Sequence, residues 1–195
     1  MTRSPWSVDG WFAPARAVRS PNFDQRTAGT EIDLIVIHHI SLPAGYFAGT
    51  AIESLFCNTL DCNSHPSFAD LNGLKVSSHF LIRRHGQLLQ FVSVHDRAWH
   101  AGQSNFMGRQ RCNDFSIGIE LEGDLDRPFT KTQYKRLNFV VDALAQHLPI
   151  KYLAGHSDIA PGRKFDPGPR FDWTELHKVS AANRLKCPYG AGGDF

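Results

Sequence analysis

The 195-residue sequence has no long apolar run and no cluster of positive charge. No segment approaches the roughly 20 consecutive apolar residues of a membrane-spanning helix, so the sequence predicts no integral membrane protein. Its basic runs are no longer than dipeptides and its net charge is only +2, whereas a phosphate-binding surface usually shows a clustered basic face. We therefore expect a protein that binds neither membranes nor nucleic acids.

Cysteine is scarce, and the features of an exported chain are missing. The first ten residues contain no apolar segment with a small-residue cleavage site, so we expect no signal peptide. Cys57 and Cys62 lack the C-x-x-C spacing of a zinc ribbon, and the other two cysteines, at 112 and 187, are isolated. A chain of this length can bury about 70% of its unfolded surface and needs no disulfides. These observations predict reduced thiols and a cytoplasmic location.

The apolar pattern predicts one α/β domain, of mixed α+β character, built on a mixed sheet of about five strands packed by helices. A buried strand over 33–37 ends in two histidines, and further strands are expected over 77–84, 87–92, 116–121 and 150–154. A capping box at Thr130 and Gln133 opens a helix that Pro149 stops. A second helix is expected from Asp172 to about Leu185. The long segment 42–73, with a short helix within 52–60, has the length of a functional loop.

The sequence pattern predicts that the chain consists of an N-terminal arm, one domain and a C-terminal tail. Residues 1–30 are rich in Arg, Pro, Ser and Gly without periodicity, and they form an extended arm that belongs to the domain. Residues 31–187 form the domain itself, with no repeat and no internal linker. Residues 188–195, which include three glycines, form a loose tail.

Three side chains at predicted strand ends and in a Pro/Gly-rich loop could hold a metal. His38 and His156 each follow a short strand, where α/β folds place their sites, and Asp166 lies ten residues after His156. Two imidazoles and one carboxylate with a fourth position open are typical of catalytic zinc. The residues alone leave an alternative open, in which these are hydrogen-bonded structural side chains. Glu120, a carboxylate on an apolar strand, is either paired structurally or used in chemistry.

Four segments also resemble a known family. They are residues 36–43 (VIHHISLP), 97–102 (RAWHAG), 111–123 (RCNDFSIGIELEG) and 155–164 (GHSDIAPGRK). In this order they are similar to the zinc amidases that include the peptidoglycan recognition proteins and phage lysozyme-type amidases. Within that family they resemble the cytoplasmic amidases of the AmpD type. The resemblance extends from about residue 10 to residue 185.

The resemblance implies an activity and a site. It implies a Zn²⁺-dependent N-acetylmuramoyl-L-alanine amidase, with 31–187 as the zinc amidase domain. The substrate would be an anhydro-muropeptide of peptidoglycan recycling, cleaved at the lactyl amide between 1,6-anhydro-N-acetylmuramic acid and L-alanine. The protein would act as a monomer. By position His38, His156 and Asp166 match the zinc ligands, Glu120 the catalytic carboxylate, and Lys164 the cation that stabilises the transition state.

Four further residues are candidates for substrate binding. The guanidinium of Arg111 could bind peptide carboxylates through two parallel hydrogen bonds. Trp99 could stack on the sugar or the peptide, and Asn113 could orient the rim of the site by hydrogen bonding. The fourth, His39, stands where the family usually has Asn. His39 could itself reach a metal, but strand alternation cannot direct both neighbours at one ion. Because the family motif aligns on His38, the resemblance implies that His38 is the ligand. His79 and His100 are expected to be structural.

Two alternatives remain beside this prediction. One is a non-catalytic peptidoglycan-binding module of the same fold, but such modules typically lose a zinc ligand and none is lost here. The other is an exported or phage-type amidase that acts on intact peptidoglycan. A comparison of soluble anhydro-muropeptide with insoluble sacculi as substrates separates both from the recycling amidase.

Overall fold

The computed structural model describes residues 4–178 and 185–189. Its strands are β1 (Arg16–Ala17), β2 (Phe23–Gln25), β3 (Leu34–Ile40), β4 (Phe80–Ile82), β5 (Leu88–Gln90), β6 (Asp96–Ala98), β7 (Asn105–Phe106), β8 (Arg109–Gln110), β9 (Ser116–Glu122) and β10 (Tyr152–Gly155). Its α-helices are α1 (Ala51–Phe56), α2 (Lys131–His147) and α3 (His156–Ile159). Three 3₁₀-helices span Pro66–Leu71, Cys112–Asp114 and Trp173–Lys178. No helix among the described residues is both long and apolar enough to cross a membrane.

A mixed sheet forms the centre of the molecule, as the sequence predicts. Within the described ranges it has six strands in the order β1-β5-β4-β9-β3-β10. Only β4 and β5 pair antiparallel, and the other four pairings are parallel. The sixth strand, β1, comes from the N-terminal arm; two paired residues are too few to produce a periodic pattern in the sequence.

The two central strands alternate between two buried layers. On β3, Ile35 and Ile37 belong to the large core cluster that also contains the apolar face of α2, whereas Leu34 and Val36 pack on the opposite side of the sheet. Because side chains alternate along a strand, His38 lies on the side of Leu34 and Val36. Strand β9 is buried along its whole length, so its polar residues are buried as well as its apolar ones.

Helix α2 covers the face of the sheet away from His38. It begins with the predicted capping box, in which the Gln133 N–H donates to Thr130 Oγ1 over 3.1 Å and the Thr130 N–H donates to Gln133 Oε1 over 3.0 Å. Its buried stripe includes Tyr134, Leu137, Val140, Val141 and Leu144. Burial of each such aliphatic side chain contributes about 1.5–3 kcal/mol, so packing rather than capping fixes the helix to the sheet.

Three other predictions concern the short helix within 52–60, the helix from Asp172 and the C-terminal tail. The short helix predicted within 52–60 is α1, which packs through Ile52, Leu55 and Phe56 against the β4–β5 side of the sheet. Of the helix predicted from Asp172 to about Leu185, the described part is the 3₁₀-helix Trp173–Lys178, and residues 179–184 lie outside the described residues. The tail prediction falls mainly on 190–195, which are also outside them.

Candidate metal centre and active site

Strands β3 and β10 bring two histidines to the same edge of the sheet. These strands are parallel neighbours with Ile37 opposite Gly155, so the next residues, His38 and His156, emerge side by side. Their Nδ1 atoms are 3.0 Å apart, and each lies 3.0 Å from Oδ2 of Asp166. Among the described residues this is the one cluster of His, Cys, Asp or Glu whose donor atoms converge closely enough to bind a metal ion.

The spacing and chemistry of these three donors fit a zinc ion. Two ligand nitrogens of a tetrahedral zinc at 2.0–2.1 Å are roughly 3.3 Å apart, close to the separation observed here. The other nitrogen of His156, Nε2, lies 3.1 Å from the carbonyl oxygen of Ala101, which can only accept a hydrogen bond. The proton therefore resides on Nε2, and the lone pair of Nδ1 faces the cluster, as a metal-binding imidazole requires.

Electrostatics keep the donors in their metal-binding protonation states. Burial, together with the neighbouring His156, lowers the pKa of His38 to about 4. Burial alone raises the pKa of Asp166, but the adjacent His156 and His38 rings outweigh it and hold that pKa well below its usual range. At neutral pH His38 is thus a neutral imidazole and Asp166 a carboxylate, which is a suitable donor set for a divalent cation.

Glu120 lies beside this cluster as an unpaired buried acid. It is the register partner of His38 on the adjacent strand β9. Its Oε2 atom is buried without a hydrogen-bond partner among the described residues. Burial raises the pKa of Glu120 well above its ordinary value, Asp166 raises it further, and the Lys164 ammonium opposes the shift. Since an unpaired buried carboxyl destabilises a fold, its presence beside three metal-type donors points to a chemical role.

One cavity of about 270 Å³ joins these groups. His38, Glu120, His156, Lys164 and Asp166 all line it. Its opposite wall is apolar and comes largely from the long segment after β3, namely Leu42, Leu55, Phe56, Leu71 and Leu74. The cavity therefore combines titratable side chains on one side with an apolar wall on the other, which suits a substrate that has both polar and apolar parts.

Two of the four predicted substrate-binding residues line the same cavity. They are Trp99 and His39. The His39 Nδ1 atom lies 3.1 Å from the carbonyl oxygen of Pro167, and its ring nitrogens are outside the three-donor cluster. His39 is thus placed at the rim of the metal centre.

The other two predicted residues lie outside the lining of this cavity. Arg111 is 71% exposed, pairs with Asp114 over 3.1 Å, and lines a neighbouring cavity of about 400 Å³ together with Arg163. The side-chain oxygen of Asn113 accepts hydrogen bonds from the backbone N–H groups of His100 (3.2 Å) and Ala101 (2.8 Å). Asn113 therefore fixes the backbone next to the metal centre.

His100 is the residue at this site that sequence reasoning missed. Its Nδ1 atom lies 2.9 Å from Nε2 of His38. Burial and the nearby His38 lower the pKa of His100 well below its ordinary value, so its ring is neutral. The signal in the sequence is Gly118: a glycine on a buried strand often marks the close approach of another group, and here the ring of His100 occupies that space.

The comparisons with known proteins agree with this geometry. The family model described as N-acetylmuramoyl-L-alanine amidase matches residues 28–169. The 1,6-anhydro-N-acetylmuramyl-L-alanine amidase AmpD of Citrobacter freundii is 51% identical over 173 residues, which cover 88% of this chain and 92% of that protein.

Solved structures give the same result. The crystal structure of a selenomethionine derivative of AmpD superposes with a TM-score of 0.86 at 50% identity, covering 88% of this chain and 98% of that one. AmiD from Escherichia coli, in complex with the substrate anhydro-N-acetylmuramic acid-L-Ala-D-gamma-Glu-L-Lys, superposes with a TM-score of 0.58 at 29% identity. That match covers 83% of this chain and 62% of AmiD.

Proposed function

Because the chain belongs to the N-acetylmuramoyl-L-alanine amidase family, we propose that it hydrolyses the lactyl amide between 1,6-anhydro-N-acetylmuramic acid and L-alanine in anhydro-muropeptides. It is a hydrolase of peptidoglycan recycling. The observation that carries the substrate assignment is the 51% identity to an AmpD amidase over 88% of the chain. The convergence of three metal-type donors and an unpaired carboxyl in one cavity supports the chemistry.

The proposed cofactor is one zinc ion, held by Nδ1 of His38, Nδ1 of His156 and Oδ2 of Asp166. Two nitrogen donors and one oxygen donor at mutual distances of 3.0 Å support this assignment. When bound, zinc lowers the pKa of a coordinated water to about 7 and polarises the amide carbonyl.

Residues of the chain carry out proton transfer, charge stabilisation and substrate binding. Glu120, with its raised pKa, accepts a proton at Oε2 from the attacking water and delivers it to the leaving nitrogen of L-alanine. Lys164, in the same cavity, stabilises the negative charge that develops on the carbonyl oxygen. Trp99 and His39 contact the substrate beside the scissile bond, and Arg111 binds a carboxylate of the peptide stem from the adjacent cavity.

Metal analysis combined with product identification tests the proposal. We expect one zinc per chain, loss of turnover on chelation, and release of anhydro-N-acetylmuramic acid and free peptide from a soluble anhydro-muropeptide. The His156→Ala variant should lose both zinc and turnover. The matched control is His85→Ala, an exposed histidine between β4 and β5, which should keep both. A His156→Ala protein with full zinc and full rate would overturn the ligand assignment.

A second assay tests the substrate class. Soluble anhydro-muropeptide and insoluble sacculi are offered separately to the zinc-loaded protein, and released peptide is quantified by mass spectrometry. A recycling amidase should turn over the soluble substrate much faster. Preference for sacculi would identify an amidase of intact peptidoglycan, and zinc binding without turnover of either substrate would identify a binding module.

The proposed setting is the cytoplasm, with the enzyme as a monomer. The resemblance to cytoplasmic AmpD amidases supports the compartment. A monomer is sufficient because one chain supplies every residue of the proposed site. Cell fractionation and light scattering on the purified protein test the two statements.

A further inference from the structure

His100 connects the metal-binding histidine on β3 to the polar face of β9. Its Nδ1 atom is 2.9 Å from Nε2 of His38, and its Nε2 atom is 3.1 Å from Oγ of Ser116. The Ser116 hydroxyl is in turn 2.5 Å from the carbonyl oxygen of Cys112. These contacts form one chain of hydrogen bonds from the metal centre to a backbone carbonyl.

The carbonyl end of this chain fixes the direction of every hydrogen bond in it. Because the Cys112 oxygen can only accept, the single hydroxyl proton of Ser116 is donated to it. Ser116 Oγ then accepts from His100 Nε2–H, which leaves His100 Nδ1 as an acceptor. That acceptor takes the proton of His38 Nε2–H. His38 is therefore left with its lone pair on Nδ1, the atom that faces His156 and Asp166.

Gly118 leaves space for the ring of His100, and Asn113 binds the backbone of His100. A Cβ atom on Gly118 would lie 2.5 Å from Cγ of His100, so only glycine leaves space for the ring. The Asn113 side chain accepts from the N–H groups of His100 and Ala101, and the Ala101 carbonyl lies 3.1 Å from Nε2 of His156. One dipeptide, His100-Ala101, thus supplies the outer hydrogen-bond partner of both histidine donors.

We propose that His100 is a positioning residue that keeps the proton of His38 on Nε2 and so presents Nδ1 of His38 to the metal. This inference rests on the proposed zinc site. Outer partners of metal-binding histidines typically change metal affinity 10- to 100-fold, which makes the effect measurable apart from turnover.

Zinc affinity of substituted proteins, measured by competition with a chelator, gives the first test. His100→Phe keeps the ring volume and removes the acceptor, and it should weaken zinc binding 10- to 100-fold. His100→Asn places an amide oxygen near the position of Nδ1 and should recover most of the affinity. The control is His79→Phe, which removes a buried histidine whose Nδ1 accepts from the Gly118 N–H and whose Nε2 lies 3.1 Å from both the Asp96 carbonyl oxygen and Arg26 Nη2, with no hydrogen bond to a metal donor. Equal losses for His100→Phe and His79→Phe would overturn the proposal.

The ring protonation of the unaltered protein gives a second test that does not depend on folding of a variant. Long-range ¹H–¹⁵N spectra of the zinc-loaded protein should show the proton of His38 and that of His100 on Nε2. A His100 proton on Nδ1 would overturn the inference even if zinc binds normally. Failure of the unaltered protein to bind zinc would instead refute the proposed function, so the two failures are distinguishable.

Discussion

Glu120 combines a proposed chemical role with a cost in stability. Its side chain is buried on β9, one oxygen has no partner within the described structure, and its pKa is raised mainly by burial. A raised pKa makes the carboxylate a stronger base than an exposed one, which favours proton transfer to it. The same desolvation penalises its charged form in the folded protein.

The catalytic role of Glu120 predicts a large effect on rate with none on metal content. Glu120→Gln keeps the shape of the side chain and removes its ability to accept a proton. We expect the variant to retain one zinc per chain and to lose on the order of 10²–10⁴ in kcat. Metal analysis on the same samples is the control, since a variant that arrives without zinc would identify Glu120 as a ligand or a structural group.

The raised pKa of Glu120 also predicts a pH-dependent stability difference in the zinc-free protein. A folded pKa above the unfolded value means that the native enzyme is favoured at low pH and loses stability as pH rises through the folded pKa. Gln does not titrate, so Glu120→Gln should melt at a higher temperature than the parent above about pH 5. The gap should shrink towards pH 4. A constant gap from pH 4 to pH 8 would contradict the assigned shift.

At the scale of elements, the active site and the main helix occupy opposite faces of the sheet. The apolar residues Ile117 and Ile119 of β9 face α2, while the intervening Gly118 and Glu120 face the metal centre. Alternate residues of β9 therefore serve the core and the candidate active site. A change at the start of α2 should consequently alter stability without altering the site.

The capping box of α2 allows this separation to be tested. Thr130 Oγ1 accepts from Gln133 N–H and donates to the carbonyl oxygen of Arg84, and Thr130→Ala removes both interactions. We expect a loss of about 1–2 kcal/mol in the free energy of unfolding, or roughly 2–8 °C in Tm. Zinc content and kcat/KM should be unchanged. Thr130→Ser retains the hydroxyl and is the matched control; a loss of zinc in the alanine variant would show that the two faces are coupled.

At the scale of the whole molecule, we propose that two cavities share the recognition of the substrate: the one with the metal-type donors and the one that Arg111 lines. In the proposed function, the metal donors, Glu120 and Lys164 act on any lactyl amide alike, so selectivity for the peptide requires contacts beyond this cavity. Arg111 and Arg163 line the second cavity and provide positive charge for the carboxylates of a peptide stem. Longer stems offer more carboxylates to this cavity.

This division predicts faster cleavage of longer stems. Anhydro-muramyl tri- or tetrapeptides should have a higher kcat/KM than anhydro-muramyl-alanine, because the second cavity orders the peptide. Arg111→Ala should reduce that advantage by roughly 1.5–3 kcal/mol, the range for hydrogen bonds to charged groups, with zinc content unchanged. Lys135→Ala, an exposed substitution on α2, is the control. Equal losses for every stem length would mean that Arg111 supports the fold rather than binding the peptide.

The sequence predicted local structure well because local structure depends on local patterns. The apolar run before His38 and the capping box at Thr130 each determine an element without distant partners. The parallel pairing of β1 with β5 and the chain from His38 through His100 to Ser116 depend on contacts between distant residues. From the residues alone the metal donors stayed ambiguous, and the family resemblance was needed to select His38, His156 and Asp166.

The adjacency of β3 and β10 has a consequence for how the protein is made. His38 and His156 are 118 residues apart in the chain, so at 5–20 residues per second the ribosome adds the second histidine roughly 6–24 s after the first. Until β9 is made, β3, whose residues Leu34 to Ile37 are all apolar, has two unpaired edges, and until β10 is made it has one; such edges promote aggregation. The proposed zinc ion has its full donor set only after Asp166, which follows β10, has been added. With the proposed zinc site, we therefore expect metal binding to follow the pairing of β10 with β3, and a chain truncated before β10 to be zinc-free and prone to aggregate.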